Sequence, residues 1–266
     1  MQPTGPYADD LRLALTIADA VDEFTLANFG GGDLTVELKP DDTPVTAVDR
    51  EAERVIRAAL ASERPGDAVL GEEYGSAGGA ARQWVIDPID GTKNFIRDIP
   101  VWATLIALLE DGKPVMGVVS APALGRRWFA ASGDGAWEGR DAAVARELTV
   151  SARATLGDAT LSYSSLGGWE ERGLLAPFLA LQRRVWRTRA FGDFWSYMMV
   201  AEGAVEVAAE PELALWDMAA LVPIVEGAGG QFTSLAGVPG PFGADAMATN
   251  GLVHDAALAI LGTAAA

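Results

Sequence analysis

Apolar side chains recur every three to four residues between positions 7 and 29, at Leu11, Leu15, Ala18, Val21 and Thr25, backed by Leu13, Ile17 and Phe24. That period predicts a helix with one buried face, closed by Gly30-Gly31-Gly32. Two prolines then mark a loop over Lys39-Pro40-Asp41-Asp42-Thr43-Pro44. The helical period returns from about Ala47 to Ala61, with Val48, Ala52, Val55, Ile56 and Ala59 inward. Thr46 reads as its N-cap, and Asp49 as a capping-box partner three residues on. Beyond this the rhythm shortens. Residues 68–71 predict a short strand leading into Gly71-Glu72-Glu73, and the Gly, Ala and Ser of 75–82 predict a mobile segment. The apolar run Trp84-Val85-Ile86 predicts a buried strand that ends at Asp87, because Pro88 has no N–H for a ladder. Asp90-Gly91-Thr92 then turns the chain, with Gly91 free to take positive φ. Residues 101–109 and 114–120 read as a hairpin about Glu110-Asp111-Gly112-Lys113, and 127–131 and 135–138 as another about Gly133-Asp134-Gly135. The expectation for this half is two helices against an antiparallel sheet.

After residue 150 strands and helices alternate. Strands are expected at 160–164, 185–189, 204–209, 230–233 and 246–249, and helices at 170–183, 193–203 and 216–227. Such alternation predicts an α/β arrangement. The expected organisation is an N-terminal α+β domain over 1–150 and a C-terminal α/β domain over 151–266, with an alanine-rich tail that frays.

The 266 residues carry a formal net charge of −17. That argues against nucleic acid and anionic membranes as partners, since both need a basic face. It does not exclude a small phosphorylated substrate, provided bound cations invert the local field. There is no cysteine, so thiolate nucleophiles, disulfides and zinc–cysteine sites are excluded. The single histidine, His254, has no nucleophile elbow near it and reads as a surface or cap residue. No signal peptide is visible and no apolar run approaches the ~20 residues that span a bilayer, so the expected compartment is the cytoplasm.

Four acids stand at element ends: Glu72, Asp87, Asp90 and Asp217. Asp87, Asp90 and the Thr92 hydroxyl gather at one strand end and suit a hard cation such as Mg²⁺, which can in turn hold a phosphate. Each acid also has a plain reading: a polar turn for Asp87 and Asp90, a solvated pair for Glu72-Glu73, and a helix cap for Asp217. The spacing is not that of an EF-hand, since Ile89 would occupy the third loop position.

Jointly, Gly71-Glu72-Glu73, Trp84-Val85-Ile86-Asp87-Pro88-Ile89-Asp90-Gly91-Thr92 and Trp216-Asp217 resemble the inositol monophosphatase superfamily in order and spacing. The resemblance runs from Lys39-Pro40 and Val45-Thr46-Ala47-Val48-Asp49 to Ala248-Thr249-Asn250-Gly251. It implies a layered αβαβα sandwich and a homodimeric phosphomonoesterase dependent on two or three Mg²⁺ ions. One metal is implied at Glu72, Asp87 and the Ile89 carbonyl, and a second between Asp87, Asp90 and Asp217. A third, weaker one would lean on Glu72. Metal-activated water would be oriented by Thr92, with Glu72 accepting its proton and Asp49 supporting the network. The Gly91 and Thr92 amides would meet the phosphate.

Substrate choice is read from other segments. Arg189-Ala190-Phe191-Gly192-Asp193-Phe194-Trp195-Ser196-Tyr197, with Lys93-Asn94-Phe95 and Ser120-Ala121-Pro122-Ala123-Leu124, is similar to the histidinol-phosphate phosphatase branch. Arg189, Gly192 and Asp193 are thereby implied in substrate binding, together with Asp90, Gly91, Thr92, Asp217 and Glu210, which stands seven residues before Asp217. L-Histidinol phosphate carries a cationic amine and a partly cationic imidazole, which acids suit. Asp193 also reads as a helix N-cap. Inositol or sugar phosphates remain the alternative substrates, and a metal-binding regulator without catalysis the alternative class.

Overall fold

The computed structural model describes residues 4–31, 36–38, 44–140 and 142–262. The expected loop at 39–43, Gly32 and the tail from 263 lie outside the described residues. Helix α1 (Ala8–Asn28) is followed by a ribbon of β1 (Val36–Leu38) and β2 (Pro44–Thr46), then by α2 (Ala47–Glu63). Strands β3 (Ala68–Gly71), β4 (Gly75–Ala77) and β5 (Arg82–Asp90) lead into the short helix α3 (Thr92–Phe95). The meander β6 (Ala103–Glu110), β7 (Lys113–Ala121), β8 (Arg126–Ala131), β9 (Ala136–Glu138) and β10 (Arg146–Glu147) completes an eight-stranded sheet in the order β10-β9-β8-β7-β6-β5-β3-β4. The rest of the chain comprises β11 (Thr160–Ser162), α4 (Leu166–Glu171), α5 (Leu175–Gln182), β12 (Arg187–Arg189), α6 (Asp193–Ala201), β13 (Val207–Glu210), α7 (Leu215–Met218), α8 (Leu221–Gly227), β14 (Gln231–Thr233), β15 (Ala246–Thr249) and α9 (His254–Leu261). Its five strands pair in the order β12-β11-β13-β15-β14.

Five layers follow from which faces are apolar. On β5, Trp84 and Ile86 pack with Leu11, Ile17 and Ile56 of α1 and α2, whereas Val85 faces α6 and α8. The period of two thus buries both faces of the sheet. Helices α6 and α8 also pack against Ala208, Phe232 and Ala248 of the smaller sheet. The far face of that sheet, at Leu161, Val207 and Met247, is covered by Trp169, Phe178 and Leu181 of α4 and α5 and by Ala257 and Leu261 of α9. This is the αβαβα sandwich. Among the described residues no helix is long and apolar enough to cross a membrane.

Several local expectations are corrected. Strand β5 does not stop at Asp87: pairing with β6 resumes at Asp90 opposite Ala103, across a bulge. Pro88 removes one ladder donor, but its carbonyl still accepts from Thr104 Oγ1 at 2.8 Å, so the backbone bulges and continues. The large sheet is not wholly antiparallel, since β3 runs parallel to β5. Residues 75–77 are not a loose segment; they form the edge strand β4 on β3. The helix expected over 170–183 is two helices, because Gly173 at φ 70 ends the first in a left-handed turn. The helix expected over 216–227 divides into α7 and α8. His254 is not a surface residue: it is 1% exposed, with Nε2 bonded to Thr233 Oγ1 at 3.1 Å and Nδ1 to Thr249 Oγ1 at 3.0 Å.

Candidate active site

The bulge in β5 sets the site. By the strand's alternation Asp87 lies on the face of Val85, towards α7, and its Oδ1 accepts the Ile89 N–H at 3.0 Å. Gly91 caps α3 at φ 87, and a Cβ there would lie 2.9 Å from the Val101 carbonyl. Thr92 Oγ1 is 3.2 Å from Asp49 Oδ1 and 3.1 Å from the Ile89 carbonyl, either of which can accept its hydrogen bond. The other oxygen of Asp49 accepts the Thr46 N–H at 2.8 Å, so the capping box is present and the same carboxylate also touches Thr92. Glu72 follows β3 directly, its N–H held by the Ile86 carbonyl at 3.3 Å.

Asp217 arrives from the other half of the chain. Its Oδ2 accepts the Ala214 N–H at 2.7 Å in the first turn of α7, and it joins Asp87 and Asp90 in a trio whose ligand oxygens lie within 4.8 Å of one another. Three buried or half-buried carboxylates this close resist ionisation. Burial, then the charges of Glu72, Asp90 and Asp217, hold Asp87 well above the usual carboxylate range. Burial, then Asp193 and Asp217, do the same to Asp90. Burial carries Asp217 up to about 7 against the Ala214 amide, with Glu72 and Asp193 adding to the rise. Such a concentration of oxygen donors and mutual repulsion fits a hard divalent cation. Asp49 is also raised, by burial, despite its bonds to Thr46 and Thr92.

The trio opens into a cavity of about 520 Å³ whose lining includes Glu72, Asp90, Gly91, Thr92, Asp193, Glu210 and Asp217. Asp193 is not the cap of α6; Gly192 is, at φ 84, and Asp193 itself holds φ 47, a strained setting for a side-chain-bearing residue. Its N–H donates to Ser164 Oγ at 2.9 Å and its Oδ2 accepts from Asn94 Nδ2 at 2.8 Å. The next amide, Phe194 N–H, donates to Asp90 Oδ2 at 2.8 Å, which docks α6 on the aspartate turn. Burial raises Asp193 to about 6 against the pull of Lys93. Burial raises Glu210 to about 8 against its bonds from Ser164, and its Oε1 has no hydrogen-bond partner among the described residues.

Arg189 is not brought here: it is exposed at the end of β12, bonded to the Thr188 carbonyl, and is not among the cavity's lining residues. Sequence reasoning passed over Ser164, Glu171 and Glu212, which also line the cavity, and nothing in their spacing marked them. It also passed over Glu53 on α2, although a charge on that helix's inward face was a visible signal.

A family model described as the inositol monophosphatase family matches residues 9–264. The chain belongs to that family. Within the family, it is 59% identical over 259 residues to a histidinol-phosphatase of Streptomyces coelicolor, covering 96% of this chain and 97% of the relative. A histidinol-phosphatase of Mycobacterium tuberculosis is 58% identical over 94% of this chain and 96% of its own length. Among solved structures, an inositol monophosphatase from Zymomonas mobilis superposes with a TM-score of 0.85 at 33% identity, over 97% of this chain and all of that one. The layered architecture is therefore that of the inositol monophosphatases.

Proposed function

We propose that this chain hydrolyses L-histidinol phosphate to L-histidinol and phosphate, using Mg²⁺. The observation that supports this substrate is a second set of acids, Asp193, Glu210, Glu171 and Glu212, lining the cavity beyond the aspartate trio. Among the described residues that line the cavity Lys93 is the one basic residue, so the part of the cavity left to the alcohol suits a cationic leaving group. The relatives named histidinol-phosphatase lend the same reading their weight. The finer elements of the reading are a homodimer, a place in cytoplasmic histidine biosynthesis, and a division of the chain near residue 150.

In this reading Glu72, Asp87 and the Ile89 carbonyl hold one cation, and Asp87, Asp90 and Asp217 another. When bound, the cations supply positive charge against the phosphate and make a water more acidic. The chain does the rest. The Thr92 hydroxyl, once it donates to Asp49, keeps lone pairs with which to orient the attacking water. Glu72 takes that water's proton. The Gly91 and Thr92 amides, at the start of α3 where no intrahelical acceptor exists, meet the phosphate oxygens. Asp193 and Glu210 hold the leaving group, and Gly192 lets the backbone bring Asp193 into place. Positioning and charge neutralisation suffice for phosphoryl transfer, with no protein nucleophile.

The test is a panel of phosphate esters ranked by kcat/KM in Mg²⁺. Histidinol phosphate is expected at the head of the ranking. Equal or better turnover of inositol 1-phosphate would replace the substrate, and no phosphate release from any ester would leave a metal-binding protein without catalysis.

A further inference from the structure

Glu53 is a fully buried carboxylate on the inward face of α2, among Val48, Ala52, Ile56 and Leu60 and sharing that face with one other buried acid, Asp49. It sits one turn after Asp49 on α2 and reaches the chain just beyond Glu72. Its Oε2 accepts the Glu73 N–H at 2.7 Å and its Oε1 the Tyr74 N–H at 3.2 Å. Arg57, a further turn along, donates Nε to Glu53 Oε1 at 2.6 Å and a second N–H to the Gly75 carbonyl at 2.5 Å. Both members of this ion pair therefore grip the turn that carries Glu72. The fit is close enough to dictate the neighbouring residue. A Cβ on Gly71 would lie 2.2 Å from Glu53 Oε1, and Gly71 is not among the glycines at positive φ. The need for glycine there comes from the Glu53 carboxylate and not from the backbone.

A buried ion pair is a poor device for stability alone, since well-packed apolar side chains do as well or better. Its geometry here serves something else. We infer that Glu53 is a positioning residue for Glu72. With Asp49 receiving the Thr92 hydroxyl from the same helix, α2 then holds both proton-handling side chains in one register. The inference rests on the roles given to Glu72 and Thr92 above.

The experiment uses the full chain, saturating Mg²⁺ and para-nitrophenyl phosphate, so it does not depend on the identity of the natural alcohol. Two variants act on the contact from opposite sides. Glu53→Gln keeps the shape but turns one acceptor into a donor facing an N–H. Gly71→Ala leaves Glu53 in place and pushes its carboxylate away. For each, kcat is expected to fall about 10–100-fold with KM changed less than about threefold, the scale of a displaced supporting group. Amide exchange at Glu73 and Tyr74 is expected to quicken, while the α2 amides of Ala52 and Ile56 stay protected. Faster exchange with kcat within about twofold of wild type would overturn the positioning role, as would unchanged exchange at Glu73 and Tyr74. Loss of protection throughout α2 would make Glu53 a structural residue. If Glu53→Gln does not fold, Gly71→Ala decides by the same criteria. A wild-type chain that releases no phosphate from any ester defeats the functional reading instead, and the exchange measurement still judges the clamp.

Discussion

Asp49 and Asp217 each spend one oxygen on a helix start and bring the rest of the carboxylate to the site. That double use explains why single residues were ambiguous in sequence: the cap and the site demand the same side chain at the same place. Asp87 starts no helix; its backbone bond is the local one from the Ile89 N–H within the bulge. Asp87→Asn is expected to abolish nearly all phosphatase activity while keeping the fold, and excess Mg²⁺ should rescue it poorly. A variant retaining a tenth of wild-type kcat would show that Asp87 does not bridge the metals. The same change removes one of three mutually repelling carboxylates, so in chelator at pH 8 its Tm should rise, by roughly 2–4 °C per kcal/mol of relief. Asp193 allows a second comparison. Truncating one partner of a partly desolvated charge pair costs about 2–5 kcal/mol, which solvent and the neighbouring Glu210 soften. Asp193→Ala is expected to lower kcat/KM for histidinol phosphate roughly 10–100-fold and hardly affect an aryl phosphate. Equal losses on both substrates would make it a support of the fold. The grouping of Asp87 and Asp90 with Thr92 was visible in sequence because their spacing is local to one motif, whereas Asp217 joined them only through the resemblance. Ser164 and Glu53 were not visible, because each acts through a backbone amide at least 20 residues away.

At the scale of elements, alternation and helical period located the long pieces, and turn chemistry placed the hairpins at Asp111-Gly112 and Gly133. The misses share a cause. Gly173, the β5 bulge and the edge strand β4 depend on partners that local pattern does not contain. His254 belongs here too, since it links two strands, β14 and β15, to the start of α9 through the Thr233 and Thr249 hydroxyls. Burial lowers its pKa from the usual value. The unfolded chain therefore takes up a proton near pH 6.5 that the folded chain refuses until lower pH. The stability that neutral His254 supports is complete above pH 6.5 and is lost as pH falls towards its folded pKa, by at most about 1.4 kcal/mol per pH unit. As the chain's single histidine it can be isolated. His254→Gln is expected to be less stable than wild type at pH 7.5, with the gap in Tm narrowing by pH 5.5. A constant gap would mean that the histidine is not forced to remain neutral.

Taken whole, the molecule has one core cluster running from Val85 of the large sheet through Met198 and Leu221 to Ala248 of the small one. The sequence rhythm changes near residue 150 but could not show that residues on either side share this interior, because apolar periodicity marks a buried face without naming what covers it. The charge of the site is likewise a property of the assembled chain. Asp193, Asp217 and Glu210 have folded pKa values raised to about 6, 7 and 8. For raised carboxylates the stabilising state is the protonated one, so stability present at low pH is lost as pH climbs through those values. Metal-free protein should therefore lose Tm between pH 5 and 8.5. Mg²⁺ at about 100 times its Kd should restore about 2.7 kcal/mol, and its effect on Tm should be greater at pH 8 than at pH 6. Equal Tm with Mg²⁺ and with chelator at pH 8 would remove the metal from the trio. The bond from Phe194 N–H to Asp90, 104 positions apart, and the closure of Asp217 onto Asp87 have a consequence in time. A ribosome releases Asp87 and Asp90 long before Asp217, and contacts of such separation form late. An emerging chain can thus carry a folded α1 and α2 and still have no complete pocket for an ion. On the proposed metal site, acquisition of the ion would be the closing event of biogenesis, and a nascent chain halted before residue 217 is expected to be inert whatever the ion concentration.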